Sequence, residues 1–153
     1  MAAVLVKYST VMAKKSLIIS AIFLLILSAG AARADEYSDA LKKAKAENKP
    51  LLLYFYSNYC TYCEAMDRNV LSDKDIKKSL ATDVVYLRVN VDEKRETAAR
   101  YNIRGYPTTY LLDPAGKRIA VIPGYMSRKD FGKILAFLKG KHYKTTNIWD
   151  FVS

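Results

Sequence analysis

The sequence predicts an α/β domain in which a central mixed β-sheet is flanked by helices, with an extra helix ahead of the first strand. Three observations carry that expectation. The run Leu51-Leu52-Leu53-Tyr54-Phe55-Tyr56 is apolar and aromatic without polar alternation, the pattern of a strand buried on both faces. Short strand patterns then alternate with amphipathic helical ones along the chain. The only two cysteines, Cys60 and Cys63, stand two residues apart, where that first strand gives way to a helical pattern.

The chain begins with an address label. Lys7, Lys14 and Lys15 form a basic leader, residues 16–30 carry no charge, and Ala32-Arg33-Ala34 supplies the small-x-small cleavage pattern of a secretory signal. The apolar run falls short of the roughly 20 residues that span a bilayer, so cleavage near Ala34 is expected, with a retained membrane anchor as the alternative. Residues 1–34 are therefore expected to be a signal peptide, and Met12 offers an alternative start with a more compact basic region. The mature chain would begin at Asp35 in a periplasmic or otherwise extracytoplasmic space. Loss of the leader removes Lys7, Lys14, Lys15 and Arg33 but no acid, so the formal charge falls from +10 to +6. A basic surface can favour acidic partners or an anionic membrane face. Without a dense Lys/Arg run interleaved with aromatics, nucleic acid is not an expected partner.

Residues 35–140 read as one domain and residues 141–153 as a basic, aromatic C-terminal tail. Tyr37, Ala40, Leu41 and Ala44 recur at helical spacing over residues 36–48, and Pro50 stops that helix. After strand 51–56, Ser57-Asn58 turns the chain, and Cys63, Met66 and Val70 mark the buried face of a helix over residues 61–70. Ser72-Asp73 signals the cap of a further helix through Leu80, with Asp75 as a partial capping-box partner of Ser72. Residues 84–91 alternate as a strand, and residues 93–101 read as a helix. Gly105-Tyr106-Pro107-Thr108 breaks the chain, and strands over 109–112 and 118–122 then flank a turn at Asp113-Pro114-Ala115-Gly116. Ser127 caps a closing helix with Phe131, Ile134, Leu135 and Leu138 on one face.

The cysteine pair points to chemistry rather than stapling. A disulfide across two residues closes a loop too small for much entropic stabilisation. Zinc needs about four ligands, whereas the single histidine, His142, lies far along the chain and no second Cys-x-x-Cys exists. A strand feeding a Cys-x-x-Cys that opens a helix exposes Cys60 to unpaired helix amides, which stabilise its thiolate and make it the nucleophile. Cys63, one turn in, is placed to resolve a mixed disulfide. Copper(I) held by two thiolates and a non-catalytic interaction domain remain the alternatives.

Taken together, the element order, the Cys-x-x-Cys and Gly105-Tyr106-Pro107-Thr108 resemble the thioredoxin-like superfamily over residues 35–140. The residues Lys45 to Pro50 and the Cys-Glu-x-Met continuation look most like its exported members, among them the C-terminal reductase domain of the DsbD family and the SoxW-like group. The resemblance implies a thioredoxin fold, a cis Pro107 opposite the disulfide, and substrate contacts from Tyr59, Thr61, Tyr62, Tyr106 and Pro107. It further implies a monomeric thiol-disulfide oxidoreductase with catalytic Cys60 and Cys63, needing no metal or organic cofactor. Its partners would be disulfide- or thiol-bearing exported proteins and a membrane thiol reductase as electron donor. Three features depart from cytoplasmic thioredoxins: Tyr59 stands in place of Trp, Thr61-Tyr62 in place of Gly-Pro between the cysteines, and Tyr54 in place of a buried Asp that serves proton transfer. Glu64 or water is the expected substitute. Glu64 is also the expected redox-tuning residue, because its carboxylate shares the helix start with Cys60 and disfavours a thiolate there.

Overall fold

The computed structural model describes residues 36–153; the expected signal sequence and Asp35 lie outside the described residues. The elements are α1 (Glu36–Glu47), β1 (Leu51–Tyr56), α2 (Thr61–Met66) running on as a π-helical turn (Asp67–Leu71), α3 (Lys74–Thr82), β2 (Val85–Asn90) and α4 (Arg95–Arg100). They continue with β3 (Thr108–Leu112), β4 (Arg118–Pro123), α5 (Arg128–Lys139), a 3-10 turn (His142–Lys144) and α6 (Ile148–Val152). The strands form one sheet in the order β2-β1-β3-β4, β1 parallel to β2 and antiparallel to β3. This is a mixed sheet of the expected kind, with α1 as the extra N-terminal helix.

Strand β1 explains the unbroken apolar run. Leu52 and Tyr54 face a core formed with Met66, Val70, Leu80, Phe131 and Leu135, whereas Leu51, Leu53 and Phe55 face a second core with Ala44, Val85, Val89 and Tyr110. Helices therefore cover both sides, and the first five residues of β1 are fully buried. On the second side, Tyr101 packs edge-on to Tyr110 at 4.8 Å between ring centroids, and the Tyr110 hydroxyl donates to the Tyr101 carbonyl.

Two local expectations shift. The helix after the cysteines does not stay α-helical to Val70: the Ser72 amide reaches the Asp67 carbonyl at 3.0 Å, widening the last turn. The Ser72 hydroxyl donates to the Arg68 carbonyl, so Ser72 closes this helix rather than opening the next. Asp73 is the actual cap of α3, its Oδ1 accepting from the Asp75 and Ile76 amides at 2.9 and 3.2 Å. The Ile76 amide, followed by Arg128, holds the Asp73 carboxyl below its ordinary value. The turn between β3 and β4 closes as read, with Asp113 Oδ1 accepting from the Ala115 and Lys117 amides. Gly116 sits there at φ +86°, where a Cβ would meet Leu41 Cδ1 at 2.8 Å.

The residues after Gly140 fold back onto the domain, so the boundary expected at residue 140 is not a packing boundary. Ile148 is buried in the same core as Phe131 and Leu138. Phe137 on α5 packs against Phe151 and Tyr143, with ring centroids 5.2 and 6.4 Å away, and Lys133 Nζ donates to the Val152 carbonyl.

Candidate active site

Cys60 and Cys63 form a disulfide with their Cα atoms 5.2 Å apart. Cys60 is the N-cap of α2, half-buried and in extended backbone, while Cys63 is 2% exposed. The Cys63 amide donates to Cys60 Sγ at 3.1 Å, and the Cys60 carbonyl accepts from the Cys63 and Glu64 amides. The outer sulfur thus rests on the amide end of the helix, as the sequence suggested. A negative charge developing on Cys60 meets an N–H donor already in place.

The loop that presents Cys60 is held from β2. Ser57 Oγ donates to both oxygens of Asp92 at 3.1 and 3.0 Å, and the Asn58 amide donates to Asp92 Oδ2 at 2.8 Å. Asn90 in turn donates to Asn58 Oδ1. Asp92 did not stand out in the sequence because its partners lie more than thirty positions away.

The second wall is the segment before β3. The Tyr106–Pro107 peptide is cis, and Thr108 pairs with Phe55, which brings Pro107 to the end of the sheet where β1 hands over to Cys60. Thr108 Oγ1 donates to the Gly105 carbonyl, and the Gly124 amide donates to the Pro107 carbonyl at 2.7 Å. The Met126 amide lies against Met66 Sδ, tying the next loop to α2. Pro107 is buried, whereas Tyr106 is 40% exposed. Tyr59 and Tyr62 beside the disulfide are 94% and 67% exposed, and Thr61 is exposed too. Tyr125, 41% exposed and next to Gly124, is an aromatic the sequence reading passed over.

Glu64 points outward and pairs with Arg68 at 3.4 Å, both well exposed. One helical turn beyond Cys63, on the same helix face, stands Asp67. Its Oδ2 accepts from Arg88 at 2.9 Å, while its Oδ1 is buried without a hydrogen-bond partner among the described residues. Arg88 also lies over the rings of Tyr54 and Tyr56, 5.6 and 4.5 Å from their centroids. Burial, with the Asp67 charge, pushes the Tyr54 hydroxyl far above its ordinary value, so Tyr54 stays protonated and is no base. Among the described residues no group of three or more His, Cys, Asp or Glu side chains is arranged to hold a metal.

The thioredoxin-like domain family matches residues 37–139. The chain belongs to that family. The thioredoxin-like chain is 34% identical to a thioredoxin from Thermus thermophilus, over 65% of this chain and 81% of that one, with a TM-score of 0.58. The C-terminal domain of Neisseria meningitidis DsbD shares the fold at 21% identity, covering 70% of this chain and 97% of that domain, also with a TM-score of 0.58. In sequence, it is 31% identical over 90 residues to the thiol:disulfide interchange protein DsbD of Ralstonia nicotianae, covering 56% of this chain and 15% of that protein. It therefore spans less than a fifth of the length of that DsbD. A thioredoxin-like fold whose Cys-x-x-Cys pair is oxidised, one sulfur outside and one inside, is a thiol-disulfide oxidoreductase.

Proposed function

We propose that this thioredoxin-like protein is exported and reduces disulfides in extracytoplasmic proteins, with a membrane thiol reductase restoring its dithiol. The observation that carries the reading is the asymmetry of the pair: Cys60 is half-exposed with an amide on its sulfur, and Cys63 is buried. In the reduced protein the Cys60 thiolate attacks a substrate disulfide, forming a mixed disulfide and releasing one substrate thiol. Cys63 then gives its proton to a base and attacks Cys60 Sγ, the electron pair of the broken bond leaving on the second substrate sulfur. The tyrosines around the disulfide, Tyr59, Tyr62 and Tyr106, with Thr61 and Pro107, form the substrate contact surface. Export is supported by the leader and Ala32-Arg33-Ala34. Among the described residues no helix is long and apolar enough to cross a membrane. The DsbD likeness supports disulfide exchange with a partner, since that relative is named for thiol:disulfide interchange.

What surrounds Cys60 supports the donor direction of electron flow. Thr61 and Tyr62 are neutral, and Glu64 adds a carboxylate to the first turn. A thiolate that is weakly stabilised leaves the disulfide hard to reduce, which suits a donor. Equilibration with glutathione buffers is expected to give a midpoint nearer the roughly −270 mV of thioredoxin than the about −120 mV of a strong oxidant, and the latter value overturns the reductant reading. Because Arg68 partly offsets Glu64, Glu64→Gln is expected to raise the potential by only on the order of 10 mV.

Asp67 is the acceptor we assign to the Cys63 proton, since its inward oxygen has no other partner. Asp67→Asn should slow resolution of a pre-formed mixed disulfide by roughly 10²-fold at neutral pH. The deficit should shrink as the pH rises and hydroxide takes over. A pH-independent deficit would make Asp67 a structural residue tied to Arg88 instead.

A further inference from the structure

A second site lies at the pole of the domain opposite the disulfide. β1 runs from Leu51 to Tyr56 toward Cys60, and its first residue pairs with Leu112, directly before the turn to β4. Between that turn and the segment following α5 is a cavity of about 520 Å³, inside the range of small-molecule sites. The apolar part of its lining that stays accessible is Pro114 and Ile119, with Phe137 and Ile148 buried behind them. Its rim carries Lys117, Arg118 and Lys144, and among the described residues none of these side chains has an ion-pair or hydrogen-bond partner.

The one carboxylate in the lining, Asp113, already accepts the Ala115 and Lys117 amides. Three cations against one committed anion leave the mouth net positive. Tyr143 also belongs to the lining, and its hydroxyl is buried just behind the wall without a hydrogen-bond partner among the described residues. Burial, then the Asp113 charge, raises its pKa, so it keeps its proton and stays a hydrogen-bond donor. A buried donor without an acceptor costs free energy that a bound acceptor would recover. Five of the twelve lining residues lie within 143–148, beyond the stretch that the thioredoxin-like family matches.

We infer that this cavity binds a small organic anion, its carboxylate or phosphate held by Lys117, Arg118, Lys144 and the Tyr143 hydroxyl and its apolar body laid against Pro114 and Ile119. Donors of this kind suit oxyanions, and the volume exceeds what a bare inorganic ion fills. The site does not depend on the redox chemistry, because none of its residues approaches the cysteines in the fold.

The chain contains a single tryptophan, Trp149, which follows the lining residue Ile148 and is 54% exposed. Its amide is capped by Asn147, another lining residue. Its fluorescence therefore reports on this pole alone. Titration with benzoate and with phenyl phosphate, followed by Trp149 emission and by amide chemical shifts, is expected to saturate. The shifts should cluster at residues 113–119 and 142–149 and spare 59–63. K117A/R118A should weaken both probes at least tenfold, and Tyr143→Phe several-fold, while insulin reduction stays at the unsubstituted rate. Benzyl alcohol binding as tightly as benzoate would overturn the anion half of the inference. Inorganic phosphate binding as tightly as phenyl phosphate would overturn the apolar half. No saturation by about 10 mM of either probe would overturn the site as a whole.

Discussion

Cys60→Ser abolishes insulin reduction, and Cys63→Ser stops turnover while trapping substrate as a covalent mixed disulfide; these are the expected results, and they are the largest effects any single change should have. The reasoning rests on position. Cys60 Sγ is the sulfur that an incoming disulfide can reach and the one that accepts the Cys63 amide, so without it no first bond forms. Cys63 is 2% exposed, so it reacts only with the neighbouring Cys60 sulfur once a mixed disulfide brings that sulfur into play. Alkylation of the reduced protein should accordingly label Cys60 well before Cys63. Non-reducing gels and mass spectrometry read both outcomes. Faster labelling of Cys63, or trapped adducts on Cys60→Ser, would reverse the assigned roles.

Phe137→Ala should cost about 3–5 kcal/mol, a large part of the roughly 5–15 kcal/mol that holds a domain of this size together. Phe137 is completely buried, and it is the side chain on which the C-terminal segment rests through Phe151, Tyr143 and His142. Removing the ring leaves a cavity that α5 and α6 cannot close without giving up Ile148 and Phe151. Urea unfolding followed by circular dichroism should show the loss, and Trp149 emission should respond at lower denaturant than in the unsubstituted protein. A cost below about 1 kcal/mol would mean that residues 142–152 do not depend on this ring.

Much of the fold could be read in the sequence because β1 has helices on both sides, which leaves an unbroken apolar run at residues 51–56 that no half-exposed strand would show. The Cys-x-x-Cys and Gly105-Tyr106-Pro107-Thr108 marked the two walls of the site, since each is local in the chain. What escaped was built from distant pairs. Asp92 meets Ser57 and Asn58 from the far end of β2, and Asp67 meets Arg88 across from helix to strand. Nothing in either neighbourhood signals the other. Ser72 and Asp73 are both good capping residues, so only the geometry of the widened helical turn shows which of them starts α3. The C-terminal segment was opaque for another reason: its apolar residues, Tyr143, Ile148, Trp149, Phe151 and Val152, span too short a stretch to form a clear periodic face and gain meaning only when Phe137 is seen beneath them.

The alternation along β1, with Leu52 and Tyr54 serving one core and Leu51, Leu53 and Phe55 the other, makes the strand a parity device. Because side chains in a strand switch sides at every step, losing or gaining one residue between Pro50 and Ser57 would exchange the contents of both cores and turn the cysteine loop toward the wrong layer. Losing or gaining two would shorten or lengthen the strand while each remaining side chain kept its side. Related chains should therefore differ in length on either side of β1 freely, and within it only by even numbers.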